Sequence, residues 1–180
     1  MPSALLPLPA SSSAGPQWTS KWPAPSRLSV QVASLQPAFW GGLAMADVQA
    51  LQTALTGQDA AIYAYGLVAA QLSGPQLTAS LTAMASHRAR RDALRSQITA
   101  AYATPVPAAV AYDPPFPIAD AASAVRLAAL IEDRCAAQFA ALAAAYTGSK
   151  RTAAALISQE CATRCVYWSG TAPIWFGTPG

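Results

Sequence analysis

Polar side chains that can do chemistry fall near the middle of each of four predicted helices. Glu132 and Glu160 are the only glutamates in the chain, His87 is its only histidine, and Gln58 is the fourth member of the set. A carboxylate inside an apolar core has to be paired, hydrogen-bonded or bound to a metal, because an isolated charge is poorly solvated there. The four residues therefore predict either a metal site or an internal ion-pair network.

A metal site would resemble the di-iron centres of helical bundles. Those centres take one Glu from each of two helices and a Glu-x-x-His from each of the other two. Here Gln58 stands where a Glu is needed, Met84 lies three residues before His87, and Thr163 lies three residues after Glu160. The remaining candidate ligands can hold at most a single divalent ion such as iron or manganese; they are His87, Glu132, Glu160 and Gln58.

An ion-pair network is the alternative that the sequence favours. Arg88 and Arg91 follow His87 on the same predicted helix and can reach Glu132 or Glu160 if they face inward. Guanidinium groups pair with carboxylates through two parallel hydrogen bonds. In this interpretation no residue is catalytic, no cofactor is bound, and the protein acts through contacts with other proteins. The predicted structural polar core comprises Arg88, Arg91, Asp92, Tyr63 and Tyr65.

The same arginines form the only basic cluster of the sequence, from His87 to Arg95. A net charge of +3, from 11 Lys and Arg against 8 Asp and Glu, is too small to indicate nucleic acid without such clustering. No aromatic side chain interleaves the cluster, and with Arg88 and Arg91 facing inward only Arg90 and Arg95 remain for solvent. We therefore predict no nucleic-acid partner.

Cysteine usage and the amino terminus bear on the cellular compartment. Cys135, Cys161 and Cys165 all fall inside helical patterns, which favours reduced, buried thiols over a secreted disulfide framework or a thiolate metal site. No basic residue precedes Lys21, so the first residues do not have the pattern of an export signal. We predict a cytoplasmic protein.

Hydrophobic residues at alternating spacings of three and four predict four helices, over about 47–72, 76–102, 120–146 and 150–168. Asp47 and Asp120 are the predicted N-caps. Tight breaks at 73–75 and 147–149 separate the helices of each pair. The predicted inward stripe of the second helix is Leu77, Leu81, Met84, Arg88, Arg91, Arg95 and Ile98. The predicted inward face of the fourth is Ala153, Leu156, Glu160, Thr163 and Tyr167.

A proline-rich segment joins the two helix pairs; it contains Pro105, Pro107, Pro114, Pro115 and Pro117. About 17 residues of extended chain, at roughly 3.1 Å each, reach farther than a 25-residue helix at roughly 1.5 Å per residue. The second and third helices can therefore run parallel. The predicted fold is all-α: a ferritin-like four-helix bundle of two hairpins joined by a long Pro-rich crossover.

Residues 1–45 are predicted to be a flexible, largely irregular arm rich in Pro, Ser and Ala, with Trp18, Trp22 and Trp40, and residues 46–180 to form the bundle. Uncharged stretches over 28–46 and 60–86 raise the question of a membrane span. Pro37 lies within the first, and the break at 73–75 divides the second, so we predict no membrane segment.

Several segments resemble a known family. They are Ala60-Ala61-Ile62-Tyr63-Ala64-Tyr65-Gly66, His87-Arg88-Ala89-Arg90-Arg91-Asp92, Asp120-Ala121-Ala122-Ser123-Ala124 and Glu132-Asp133-Arg134. Over about 47–180 the chain is similar to the uncharacterised, alanine-rich ferritin-like domains of actinobacteria, the domain of unknown function 4439 type. The resemblance implies the fold and self-association, most simply as a homodimer, and no established activity. The family pattern before Tyr-x-Tyr-Gly reads Glu-His, whereas this chain has Gln58-Asp59.

Overall fold

The computed structural model describes residues 39–170, with side chains from residue 47 onward. Four α-helices account for most of this range. They are α1 (Phe39–Gln71), α2 (Gly74–Ala100), α3 (Ala121–Ala145) and α4 (Gly148–Ser169). Residues 39–170 contain no strand, so the predicted all-α, four-helix class is confirmed.

Two short breaks divide the helices into two hairpins. Residues 72–73 separate α1 from α2, and residues 146–147 separate α3 from α4. The next residue in each case is a glycine with positive φ, 54° at Gly74 and 57° at Gly148. Glycine adopts this conformation at little cost because it has no Cβ. The two glycines thus allow the chain to reverse direction within a few residues, which brings the helices of each pair side by side.

The proline-rich crossover, residues 101–120, contains neither helix nor strand. Gln52 of α1 holds its start, because its Nε2 donates to Thr104 O at 2.7 Å and its Oε1 accepts from Val106 N at 2.9 Å. At its end the Asp120 side chain accepts from the Ser123 N–H at 2.7 Å, and Ser123 Oγ accepts from the Asp120 N–H at 3.1 Å. This capping box starts α3 as the sequence predicts.

The crossover returns the chain along the bundle, so that α2 and α3 run parallel. Along α1, Gln58 and then Tyr65 contact Cys135 and then Glu132 of α3. The order is reversed, which makes α1 and α3 antiparallel. Because α1 and α2 form a tight hairpin, they are antiparallel as well. The direction of α2 relative to α3 is therefore the one that the length of the crossover predicts.

The apolar core consists of two clusters, one toward each end of the bundle. One contains Leu127 and Ile131, and the other contains Leu55, Ile98 and Phe139. Each fully buried side chain of this size contributes roughly 1.5–3 kcal/mol to folding. Between the clusters lies a layer of buried polar side chains, which is the candidate site.

The first helix starts earlier than the sequence predicts. It begins at Phe39, so the prediction of an irregular arm is wrong for residues 39–45, and Asp47 lies inside α1 rather than capping it. Gly41-Gly42 explains the error, because two adjacent glycines are weak helix formers and leave no apolar stripe. Residues 1–38, with Trp18 and Trp22, lie outside the described residues.

The fourth helix is turned by about one residue relative to the prediction. Its buried residues are Ala154, Ser158, Cys161, Ala162, Cys165 and Trp168. The residues of the predicted inward face are exposed instead: Ala153, Leu156, Glu160, Thr163 and Tyr167. Small residues line most of the true inward face, so this face is only weakly apolar. The larger Leu156 and Tyr167 made the opposite face more apolar, and the prediction placed it inward.

The second helix departs from the prediction at Leu81, which is 49% exposed rather than inward, and again in its second half. His87, Arg90 and Leu94 are buried there, whereas Arg88 and Arg95 are exposed. The helix as a whole contains few large apolar residues in this half, so periodicity alone did not distinguish adjacent faces.

Long uncharged stretches do not produce a bilayer span within the described residues. Over 39–170 no helix combines the length and apolarity that crossing a membrane requires. The stretch 60–86 is divided between α1 and α2 by the break at 72–73.

Candidate functional site

Three helices bring Gln58, His87 and Glu132 together between the apolar clusters. The side chains come from α1, α2 and α3, and each is 0% exposed. His87 Nδ1 lies 2.9 Å from Gln58 Oε1, and His87 Nε2 lies 3.2 Å from Glu132 Oε1. The structure therefore assembles three of the four residues that the sequence singled out.

Tyr65 and Trp168 extend this centre toward α4. The Tyr65 hydroxyl donates to Glu132 Oε1 at 2.7 Å and accepts from Trp168 Nε1 at 3.1 Å. Its ring also packs on the His87 ring, with centroids 5.4 Å apart. Burial, together with the neighbouring Glu132 charge, raises the pKa of Tyr65 well above its usual value. Tyr65 is thus a neutral donor to the carboxylate.

Arg164 of α4 connects the two glutamates. Its Nε donates to Glu132 Oε1 at 2.8 Å, and its Nη1 donates to Glu160 Oε1. The other oxygen of Glu160 pairs with Arg90 of α2. Burial by itself would lower the pKa of Arg164, but the charges of Glu132 and Glu160 and the hydrogen bond to Glu160 together outweigh burial and raise it. Arg164 is therefore a permanent cation between two acids.

Glu132 is ionised although it is fully buried. Burial opposes its charge, yet the hydrogen bond from His87, the charge of Arg164 and the hydrogen bond from Tyr65 hold its pKa below the usual value. All three donors converge on Oε1, and Oε2 has no hydrogen-bond partner among the described residues. One carboxylate oxygen thus carries the connections to the other three helices.

His87 is in the opposite situation, since burial lowers its pKa. Arg90 and Arg164 lower it further, while Glu132 acts against them. A neutral imidazole has one donor and one acceptor nitrogen. Because the carboxylate of Glu132 can only accept, the proton lies on Nε2 and Nδ1 accepts.

The amide of Gln58 is coupled to this charge state. With its oxygen toward Nδ1, both ring nitrogens of His87 face acceptors, and the ring has to carry two protons. With its NH₂ group toward Nδ1 the ring is neutral, and the thiol of Cys135, which lies within 3.6 Å of the amide, can donate to the amide oxygen. The lowered pKa of His87 favours this second orientation.

The three cysteines are buried and free. Burial raises the pKa of Cys135 well above its usual value and raises that of Cys161 to about 12. Both are thus thiols at neutral pH. Arg90 Nη1 donates to Cys161 Sγ at 3.4 Å, which uses this side chain as a weak acceptor inside the polar layer.

The predicted structural core is wrong for four of its five residues. Arg88 and Asp92 are exposed, Arg91 pairs with Asp92 at 2.9 Å on the surface, and the Tyr63 ring is 37% exposed. The turn of α2 explains the first three, because Arg90 takes the inward position that was assigned to Arg91. The structure places Tyr65, the fifth residue, at the centre of the layer.

Glu160 lies at the rim of the layer rather than inside it. Its side chain is 50% exposed, so the predicted mid-core position is wrong, and the turn of α4 is again the cause. Burial would raise its pKa, but the charges of Arg164 and Arg90 hold it below the usual value. Glu160 therefore closes the outer side of the layer as a carboxylate.

Sequence reasoning missed Arg164 and Trp168 and assigned Arg90 to solvent. A signal for Arg164 exists, because it follows Glu160 by four residues, a spacing at which oppositely charged side chains pair on a helix. For Arg90 the sequence offers no comparable signal; its side chain is 9% exposed and becomes an inward residue only through the rotation of α2. Trp168 likewise depends on the rotation of α4.

The predicted metal ligands do not assemble as a metal site. Among the described residues no three His, Cys, Asp or Glu side chains cluster closely enough to hold an ion. Glu132 and Glu160 both face the guanidinium of Arg164. The position between the two acids is therefore occupied by a guanidinium group of the chain itself.

The fold and this layer define an all-α domain of four helices with a buried ionic core. A family model for a domain of unknown function, DUF4439, matches residues 50–180, and the chain belongs to that family. It is also similar to the crystal structure of a conserved hypothetical protein from Mycobacterium tuberculosis, with 32% identity and a TM-score of 0.67 over 70% of this chain and 96% of the other. No curated protein matches the sequence.

Proposed function

We propose that this protein is a ferritin-like bundle without a catalytic metal centre, whose buried ionic layer is structural and which acts in the cytoplasm through protein contacts. One observation carries the proposal: the guanidinium of Arg164 bridges Glu132 and Glu160. In a metal-binding bundle, a metal ion would be the cation between such acids.

The charges of the layer support this assignment. Arg90 and Arg164 carry two positive charges, Glu132 and Glu160 carry two negative charges, and His87 is neutral, so the layer is balanced. A divalent cation would add two uncompensated charges beside two guanidinium groups. Electrostatic repulsion in a partly buried site therefore disfavours metal binding.

Elemental analysis tests the proposal directly. Protein purified without chelators is expected to carry no stoichiometric iron, manganese or zinc, and titration with Fe²⁺ or Mn²⁺ is expected to give neither heat nor a change in melting temperature. Stoichiometric metal in the wild-type protein would overturn the proposal. The same titration of Arg164→Ala, which removes the guanidinium partner of Glu132 and leaves Glu160 with Arg90 alone, is expected to reveal weak binding. The control Arg91→Ala, at the surface beside Asp92, is expected to behave as wild type.

A degenerate metal-binding oxidoreductase is the alternative. Glu132 Oε2, buried and without a partner in the described part of the chain, is the observation that favours it, because an unpaired carboxylate oxygen beside His87 is a potential ligand. The alternative predicts that the wild-type protein binds a metal ion and that the Glu132→Gln variant does not. A wild-type protein that binds no metal would contradict it.

The partner that we propose is a second copy of the chain or another protein, and not nucleic acid. Arg90 is engaged with Glu160 and Arg91 with Asp92, which leaves few free cations in the basic cluster. A nucleic-acid partner would require affinity that falls steeply with salt. We expect no shift of a DNA or RNA fragment even at low ionic strength; a salt-dependent shift weakened by Arg95→Ala would contradict this.

A further inference from the structure

A trough of about 410 Å³ lies between α2 and α4 on the side of the polar layer away from the α1–α2 turn. Its apolar floor is formed by Leu94, Phe139, Leu142 and Ile157. Small side chains, among them Ala93 and Ala153, form the walls. This volume lies within the roughly 300–1,000 Å³ range of small-molecule sites.

The ionic layer explains why the trough is open. α1 packs closely on α2 and α3, and α3 packs closely on α4, whereas α2 and α4 are not closely packed along their length. Arg90 and Glu160 join these two helices through long side chains, which hold the backbones apart. Alanine walls do not fill the space that remains, so the separation leaves a continuous apolar surface.

One positively charged side chain, Lys150, lies at the outer end of the trough, and Asp47 lines the adjoining surface on the far side of it. Lys150 lines this end, its Nζ lies 5.5 Å from the centre of the Tyr146 ring, and no carboxylate of the described residues lies within ion-pair distance of it. The first turn of α4 contains no acidic residue and its N-cap makes no side-chain hydrogen bond, which adds to the positive potential. At the inner end Arg90 is already neutralised by Glu160.

We propose that the trough binds a free, monomeric medium-chain carboxylate, with the chain on the apolar floor and the carboxylate at Lys150. From Arg90 to Gln97 the α2 wall spans seven residues, or about 10 Å at roughly 1.5 Å per residue, which suits an extended chain of the length of octanoate or decanoate. This ligand site goes beyond the proposed function and does not depend on the absence of a metal.

Displacement of a fluorescent probe from the full-length protein tests the site. Anilinonaphthalene sulfonate, itself an apolar ring system with an anionic group, is expected to bind and to be displaced by decanoate. Decanol is expected to compete about fivefold more weakly, the effect of losing one partly exposed ion pair. Lys150→Gln is expected to weaken decanoate about fivefold and to leave decanol unchanged, while Lys150→Arg retains the wild-type affinity.

Filling the trough supplies a second measurement. Ala153→Trp and Ala93→Leu, on opposite walls, are expected to abolish displacement by both ligands without unfolding the protein, because both positions are exposed. Ala141→Trp, exposed on α3 away from the trough, is the matched control and is expected to bind as wild type. Failure of decanoate to displace the probe, or wild-type affinity in both filled variants, would overturn the proposal.

A bilayer could offer the same chemistry as a free carboxylate, and sedimentation distinguishes the two. The protein is expected to remain in the supernatant with phosphatidylglycerol vesicles while it still binds decanoate. If the protein sediments with the vesicles, and if both Lys150→Gln and Ala153→Trp reduce that sedimentation, a site for the free ligand is contradicted.

Discussion

At the scale of single residues, the layer concentrates its connections on Glu132 Oε1, which accepts from His87, Tyr65 and Arg164. A buried charge of this kind adds little net stability when it is paired, but removal of one partner leaves the other charge uncompensated. The effect of a substitution therefore depends on which charge it strands, and not on the number of hydrogen bonds it removes.

Replacement of Glu132 with glutamine is expected to lower the free energy of unfolding by about 3 kcal/mol, measured by urea denaturation. This is near the lower end of the range for breaking a buried ion pair, because Arg164 retains Glu160 as a partner. Asp92→Asn is the control, since Asp92 pairs with Arg91 at the surface, and little change is expected there. Equal stabilities of the two variants would show that Glu132 is not an internal counter-charge.

Acid is expected to destabilise the protein through its single histidine. Burial lowers the pKa of His87 in the folded state from 6.5, so the unfolded state binds more protons as the pH falls. The stabilising contribution is therefore present above the unfolded pKa and is lost as the pH falls below it, by at most about 1.4 kcal/mol per pH unit. Glu132, whose pKa is lowered from 4.5, loses its contribution only at more acidic pH.

The measurement is the free energy of unfolding of wild type and of His87→Gln between about pH 7.5 and pH 5.5. Wild type is expected to lose stability across this range, and the variant to show a flatter profile. Parallel profiles would mean that His87 has the same pKa in both states. Nitrogen chemical shifts of the imidazole provide an independent check, because they show which ring nitrogen carries a proton. We expect a proton on Nε2 and none on Nδ1.

At the scale of elements, the packing of α1 on α3 depends on a glycine. A Cβ added at Gly57 would lie 1.9 Å from Gln138 Oε1, whereas nothing lies within 4 Å of a Cβ added at Gly66 of the same helix. Gln138 is 6% exposed, so its amide has little room to withdraw. The close approach of the two helices at this point sets the distance between Gln58 and α3.

The two glycines form a matched pair for measurement. Gly66→Ala is expected to raise the free energy of unfolding by about 0.5–1 kcal/mol, because alanine is the better helix former. Gly57→Ala is expected to lower it, since the clash with Gln138 outweighs the same gain in propensity. Adding Gln138→Ala to Gly57→Ala is expected to recover part of the loss. Stabilisation by both single substitutions would contradict this account of the α1–α3 contact.

At the scale of the whole molecule, α4 presents apolar side chains to solvent. Leu156 is 59% exposed, Val166 40% and Tyr167 57%. Leu156 and Tyr167 lie eleven residues apart and thus on the same side of the helix, three turns from one another. Exposed apolar residues aligned in this way are typical of a protein contact, which supports the proposed homodimer.

Light scattering after gel filtration tests the dimer. Wild type is expected at twice the chain mass of 18.5 kDa, and the double variant Leu156→Lys, Tyr167→Ser is expected at the mass of one chain with an unchanged melting temperature. Leu81→Lys, on α2 and 49% exposed, is the control and is expected to remain dimeric. A monomeric wild type at micromolar concentration would rule out this contact.

The inward face of a helix could be predicted from the sequence for some of the four helices and not for others. For α1 and α3, large apolar residues such as Leu55 and Phe139 mark the inward side, so the positions of Gln58 and Glu132 followed from periodicity. For α4, alanine, serine and cysteine line most of the inward side. Their hydrophobicity differs little from that of the outer residues, so periodicity did not determine the rotation of α4 about its axis. For this reason the sequence predicts Glu160 inside the core and does not identify Arg164 and Trp168 as residues of the layer.

The sequence by itself determined four helices, two tight hairpins and the parallel course of α2 and α3, because these follow from local signals: periodicity, Gly and Pro breaks, and the length of the crossover. Tertiary structure alone decided which arginine meets which acid. The rotation of a weakly amphipathic helix is set by packing against its neighbours and not by its own residues, and a turn of one position replaces Arg91 with Arg90 opposite Glu160. The identity of the buried cation, and with it the chemistry available to the site, is thus a property of the assembled bundle.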